Sequence, residues 1–150
     1  MKPLDLRIGN IVTSDVLVEN TPARVSGILA PWPGKDYYHI ELSIDGLIDS
    51  EVSEVKPILL TPEWFGRFGF TLEVVGEKEY WVTCPVDIKY CFYYRKWAQN
   101  WAYYIEYVDS NDPGDDDKKY PVAFDVSSVH QLQNLYFALT GIELEIKGRV

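Results

Sequence analysis

The residues with the most obvious capacity for chemistry are acidic and lie in one polar segment. Asp109, Asn111 and Gly114 occupy the first, third and sixth positions of a pattern typical of a calcium-binding loop. The fifth and twelfth positions are Pro113 and Tyr120, so an oxygen ligand and the bidentate glutamate are both missing. We interpret the segment as a solvated loop that binds cations weakly at most, and we expect no metal and no other cofactor.

Two histidines and two cysteines are the other candidates for chemistry. His39 follows two tyrosines in a strand-like segment, and His130 stands at the start of a helical segment. Cys84 and Cys91 are seven residues apart with no second pair nearby, so neither a zinc site nor a redox CxxC motif is present. We interpret both cysteines as buried thiols. A Cys–His hydrolase stays an alternative, because the sequence does not say which side chains meet in space.

An aromatic run from Tyr90 to Trp101 could stack on bases, with Arg95 and Lys96 as basic contacts. The chain as a whole has 14 basic and 23 acidic residues, a formal net charge of −9 that is spread over both halves. Such a surface repels phosphate backbones and anionic headgroups, so we expect no direct binding to nucleic acid or membranes. A basic protein partner is compatible with this charge.

The element that should organise the chain is a helix over residues 128–141. Ser128 and Gln131 fit a capping box at its start, and Gly141 fits the left-handed residue at its end. Apolar residues recur between them at helical spacing and predict a buried face. These residues are Val129, Leu132, Leu135, Tyr136 and Leu139.

A large aromatic residue lies on the side of this helix that should face water. His130, Asn134 and Phe137 form a stripe opposite the predicted buried face. Either the first part of the chain packs on this stripe, or a partner protein or a second copy covers it. We take the stripe and part of the acidic loop as the predicted partner-binding residues. They are His130, Asn134, Phe137, Asp115, Asp116 and Asp117.

Strand and turn patterns divide the chain into two lobes that we expect to pack as one unit. Residues 1–58 contain short strand-like runs separated by turns, which predicts a small Src-homology-3-like β-barrel. Residues 59–150 begin with a short helix from Thr61 and continue with longer strands of alternating aromatic residues. They predict an antiparallel sheet with one long C-terminal helix packed on it, so the expected fold class is α+β.

Three separated motifs resemble a group of proteins of uncharacterised function from Bacteroidetes and their phages and mobile elements. They are LRIGN at residues 6–10, LTPEW at 60–64 with FGF at 68–70, and HQLQNLYFALTG at 130–141. The resemblance implies a two-part chain and a mobile-element setting. It implies no activity that can be assigned to named positions.

The combined expectation is an acidic, non-catalytic protein-binding protein of phage or mobile-element origin. We expect it in the cytoplasm, because it has no signal peptide, no stretch of membrane-spanning length and no disulfide framework. Its partner would be a host or phage protein, and one hypothesis is an anti-defence inhibitor of a basic protein such as a CRISPR nuclease. An orphan enzyme that uses Cys or acidic residues and a structural or adaptor subunit are the alternatives. A homodimer is compatible with each of them.

Overall fold

The structure is a computed structural model, and it describes most of the 150-residue chain in ten segments. They are residues 5–17, 21–31, 33–34, 38–44, 47–52, 55–84, 90–97, 100–107, 119–122 and 126–147. These residues form two antiparallel sheets and two helices. The fold class is therefore α+β, as the sequence predicts.

The first sheet is a meander of four strands in chain order. They are β1 (Ile11–Val12), β2 (Ala23–Leu29), β3 (His39–Ile44) and β4 (Leu47–Val52). The register shifts once between β2 and β3 and once between β3 and β4, and such bulges bend a sheet. Within the described residues β1 does not pair with β4, although an isolated bridge joins Thr13 to Lys56. The described strands thus form an open sheet rather than the predicted closed barrel.

The second sheet is a meander of five strands, also in chain order. They are β5 (Thr71–Val75), β6 (Lys78–Thr83), β7 (Tyr90–Trp97), β8 (Asn100–Tyr107) and β9 (Lys119–Val122). Helix α1 (Pro62–Arg67) precedes this sheet, and helix α2 (Val129–Thr140) follows it. On α1, Phe65 stacks on Trp81 of β6 at 5.7 Å and lies 4.2 Å from the ring of Tyr94 of β7. These aromatic contacts hold α1 on one face of the sheet.

Strand β1 connects the two lobes because its two residues face different cores. Val12 packs with Val25 and Leu42 in the core of the first sheet. Ile11 packs with Leu132 in the core between α1, α2 and the second sheet. All five of these side chains are fully buried. Successive strand residues point to opposite sides, so one short strand fastens both lobes.

Helix α2 begins and ends where the sequence predicts. Ser128 is its N-cap, and Gly141 follows it in the left-handed conformation with φ of 71°. The Gly141 N–H donates to the carbonyl of Phe137 at 2.8 Å and closes the last turn. The residues that mark both helix ends act through nearby contacts in the chain, which is why the sequence alone predicts them.

The buried face of α2 differs from the predicted one. Leu132 is fully buried as expected, whereas Leu139, placed on the same stripe, is exposed. His130, expected on the wet side, is only 4% exposed. The predicted face is wrong at these two positions because the N-terminal segment packs on the side of His130 and leaves the last turn of the helix uncovered.

We expect Leu132→Ala and Leu139→Ala to differ strongly in stability. Loss of the buried Leu132 side chain leaves a cavity and should lower the free energy of unfolding by roughly 2–5 kcal/mol. Leu139→Ala is the matched control on the same helix and should change it by less than about 1 kcal/mol. Denaturant unfolding measures both, and equal losses would contradict the observed buried face.

Candidate binding cleft at the start of helix α2

The N-terminal segment reaches α2 through a tight turn that ends at Asn10. Gly9 has φ of 95°, a conformation that glycine adopts more readily than other residues. Its N–H donates to the carbonyl of Val25 at 2.8 Å, and the Arg7 N–H donates to Asn10 Oδ1 at 2.7 Å. These bonds fix the turn against the first sheet. The Gly9 carbonyl and the Asn10 amide group are thereby available to α2.

Gln133 is the side chain that joins the turn to the helix, and it is 2% exposed. Its Oε1 accepts the N–H of Ile11 at 2.8 Å. Its Nε2 donates to the carbonyls of Gly9 and Leu144, at 3.2 Å each. One buried amide therefore satisfies backbone groups from two distant segments. Gln133 is not among the predicted site residues, although its position, four residues after Val129, places it on the side of the apolar stripe.

Two of the three predicted stripe residues contact the N-terminal segment. Asn134 Oδ1 accepts a hydrogen bond from Asn10 Nδ2 at 2.9 Å, and Asn134 Nδ2 donates to the Asp5 carbonyl at 3.0 Å. The Arg7 guanidinium carbon lies 3.6 Å from the centroid of the Phe137 ring, a cation–π contact. Packing of the first lobe on the stripe, one of the two alternatives considered from the sequence, thus occurs here. Phe137 nevertheless remains 36% exposed.

The third stripe residue, His130, takes part in a side-chain network at the helix start. Gln131 Oε1 accepts the N–H groups of Ser127 at 3.0 Å and Ser128 at 3.2 Å, and the Ser128 hydroxyl lies 2.9 Å from it. An amide oxygen only accepts, so the hydroxyl donates its single proton to Gln131. Ser128 Oγ is also 3.1 Å from His130 Nδ1. In the tautomer that matches this donation, Nδ1 carries the ring proton and His130 Nε2 is an acceptor.

This network contains the predicted capping box. Gln131 reaches back to the N–H of Ser128, and the Ser128 side chain faces the backbone of Gln131. The Ser128 hydroxyl makes further contacts with the side chains of Gln131 and His130. The hydroxyl therefore orients the His130 ring.

A cleft of about 650 Å³ opens beside this network, within the size range of small ligand sites. We call it the α2 cleft. It is lined by Asp5, Pro57, Leu59, Val126, Ser127, Ser128, His130, Gln131, Asn134 and Leu135. Asp5 is the only charged residue among the described residues that line it, and Leu59 is 69% exposed at its wall. His130 and Asp5 both line the cleft, so an imidazole and a carboxylate lie together among apolar residues.

The electrostatics of His130 agree with this acceptor role. Burial lowers the pKa of His130 below its ordinary value of 6.5, the negative charge of Asp5 raises it, and the positive charge of the N-terminal amine lowers it further. Burial is the larger cause, because the charged imidazolium loses more by desolvation than it gains from Asp5. The ring is therefore neutral at pH 7, with Nε2 able to accept.

The two cysteines are not the buried thiols that the sequence predicts. Cys84 and Cys91 form a disulfide with an S–S distance of 2.05 Å, and Cys84 is exposed. The register of β6 and β7 places Thr83 opposite Phe92. Cys84, which follows Thr83, therefore lies opposite Cys91, which precedes Phe92. Spacing in the sequence does not reveal this register. In the disulfide form neither sulfur is a thiolate nucleophile, as a Cys–His hydrolase would require.

The remaining predicted features can be placed briefly. Asp115, Asp116 and Asp117 lie outside the described residues. Within the described part of the chain, no group of three or more His, Cys, Asp and Glu side chains is arranged to hold a metal ion. The helices in that part are too short and too polar to cross a membrane.

Comparison of the chain with protein-family models, with curated proteins and with solved structures found no match. The three motifs noted in the sequence do lie together in space. Leu60 and Phe70 of the second motif share one core with Leu132 of the third. Gly9 of the first motif accepts the hydrogen bond from Gln133 of the third. Of the three motifs, the third lines the α2 cleft, through His130, Gln131, Asn134 and Leu135.

The lowered pKa of His130 predicts a pH-dependent stability. The unfolded chain binds a proton at His130 near pH 6.5, whereas the folded chain binds it only at lower pH. Stability should therefore be complete above pH 6.5 and should fall as the pH decreases from 6.5 through the folded pKa. His130→Gln should flatten this part of the curve in denaturant unfolding between pH 7.5 and 5. His39→Gln is the control, and a wild-type slope in His130→Gln would refute the assignment.

Proposed function

We propose that the protein acts by non-catalytic binding of a basic protein, and that a Lys or Arg side chain of this partner enters the α2 cleft. The supporting observation is that Asp5 and His130 line the same cleft, where the carboxylate and, in the Nδ1-protonated tautomer, His130 Nε2 are both acceptors. Ammonium and guanidinium groups carry only donors, so either could bond to both acceptors. The alkyl stem of such a side chain would lie against Leu59 and Leu135. An acidic side chain would instead meet repulsion from Asp5.

The setting that we propose is a phage or mobile element, with the protein as an anti-defence inhibitor. The net charge of −9 supports a basic partner, and nucleic-acid-binding defence proteins such as a CRISPR nuclease carry basic surfaces. The resemblance in the LRIGN, LTPEW and HQLQNLYFALTG motifs supports the mobile-element origin. In this proposal the protein touches neither nucleic acid nor membrane directly. A second copy in a homodimer is the alternative occupant of the cleft.

Two finer proposals concern topology and location. The consecutive, bulged meander of β1 to β4 supports a Src-homology-3-like arrangement of residues 1–58. The second proposal is a cytoplasmic location. The Cys84–Cys91 disulfide weighs against that location, because disulfides are rare in the reducing cytosol.

An orphan enzyme and a structural or adaptor subunit are the alternative functions. The enzyme alternative needs an accessible nucleophile or acid. Ser128 is buried and bonded to Gln131, and Cys84 and Cys91 are joined to each other. None of these three side chains offers an accessible nucleophile in this structure, and Asp5 with His130 in the cleft is the acid–base pair that the enzyme alternative would have to use.

Affinity capture with matched charge variants tests the proposal. Wild-type protein should retain basic host proteins, and Asp5→Lys should reduce their recovery at least tenfold, because it places a cation in the cleft. Glu63→Lys is the control, since Glu63 is an exposed acid on α1 with the same change in net charge. Quantitative mass spectrometry of the retained proteins gives the result. An equal loss of recovered protein with both variants would show that net charge alone causes the effect. Undiminished recovery with Asp5→Lys would contradict binding in the α2 cleft.

A further inference from the structure

Strand β5 is a sheet edge whose side chains are exposed on both faces. Within the described strands it pairs with β6 alone, so one side of its backbone has no neighbouring strand. Thr71, Leu72, Glu73 and Val74 are all exposed. An unpaired edge presents a row of N–H and C=O groups that can pair with an added strand.

One face of β5 is apolar and continues from the core. Phe70, just before the strand, is buried, while Leu72 is 43% and Val74 is 62% exposed. Leu72 lies opposite Trp81, the ring that stacks on Phe65 of α1. Residues two apart share a face, so Leu72 and Val74 extend the α1 side of the sheet beyond the part that α1 covers.

The other face of β5 carries a negative charge at its centre. Glu73 lies opposite Tyr80, and the Arg95 guanidinium carbon is 5.9 Å from the centroid of that ring. If β5 paired along its whole length with an antiparallel β5 of a second copy, Glu73 of one copy would lie opposite Glu73 of the other. Like charges directly opposite destabilise a strand pair, so the edge is unfavourable to self-association and favourable to a basic strand.

We propose that β5 is a docking edge for an extended segment of a basic partner protein, with a Lys or Arg opposite Glu73 and an apolar residue on each side of it. Cross-strand geometry sets this pattern. A residue opposite Glu73 places its two neighbours opposite Leu72 and Val74, on the face where those side chains are exposed. The inference rests on the proposed binding function and names a second contact, separate from the α2 cleft.

Blocked peptides of defined sequence test the docking edge directly. The probe is Thr-Thr-Val-Lys-Val-Thr-Thr, and its counterpart has Glu in place of Lys. In NMR titrations the Lys peptide should shift the backbone amides of β5 and bind at least tenfold more tightly than the Glu peptide. Glu73→Lys should reverse this preference, whereas Glu63→Lys on α1 should leave it unchanged. Leu72→Thr combined with Val74→Thr keeps strand propensity and should weaken binding of the Lys peptide at least tenfold.

Several outcomes would overturn the docking edge. Equal binding of the two peptides, shifts located away from β5, or an unchanged preference in Glu73→Lys would each do so. A dimer in analytical ultracentrifugation that Leu72→Thr with Val74→Thr abolishes would instead assign the edge to a second copy. If Glu73→Lys prevents folding, Glu73→Gln tests the same point by removing the preference. Amide shifts at the α2 cleft that Asp5→Lys removes belong to the cleft, and shifts in β5 that Glu73→Lys changes belong to the edge, so failure of the cleft and failure of the edge are separate results.

Discussion

The two lobes of this protein depend on the hydrogen bonds of one buried amide, that of Gln133. Strand β1 is only two residues long and lies at the edge of the first sheet, so the N–H of Ile11 has no further strand to bond to. Gln133 Oε1 takes the place of that strand, while its Nε2 serves the carbonyls of Gly9 and Leu144. A buried backbone group left without a partner costs about 1–3 kcal/mol, so three such groups make this side chain a strong constraint on how the lobes meet.

The α2 cleft is a consequence of that junction. Gln133 holds the N-terminal segment along α2 by its bond to Ile11. A second bond, between the side chains of Asn10 and Asn134, joins residues that are 124 positions apart in the chain. This arrangement brings Asp5 beside His130, whose ring is oriented by Ser128. The polar lining of the cleft therefore belongs to neither lobe alone. It comes from a carboxylate of one lobe and an imidazole of the other, both placed by uncharged hydrogen bonds that are insensitive to salt.

Local signals were readable from the sequence, and long-range ones were not. Ser128 and Gly141 mark the ends of α2 through bonds within a few residues, so the helix limits are correct. The buried face of α2 depends on where the N-terminal segment packs, which is why His130 and Leu139 were assigned to the wrong sides. The Cys84–Cys91 disulfide depends in the same way on the register of two strands. A polar residue at the position of Gln133, among apolar residues at helical spacing, was the one available sign of the junction.

Hydrogen exchange at a single amide tests this account most directly. Gln133→Met keeps the length of the side chain but removes its hydrogen bonds, whereas Gln131→Met makes the same change at the partly exposed position two residues earlier. In the wild type the Ile11 amide should be protected as strongly as the Leu132 amide inside α2. In Gln133→Met the Ile11 amide should exchange at least about tenfold faster relative to Leu132, because its acceptor is gone, and in Gln131→Met the ratio should not change. An unchanged ratio in Gln133→Met would contradict the claim that this amide joins the lobes.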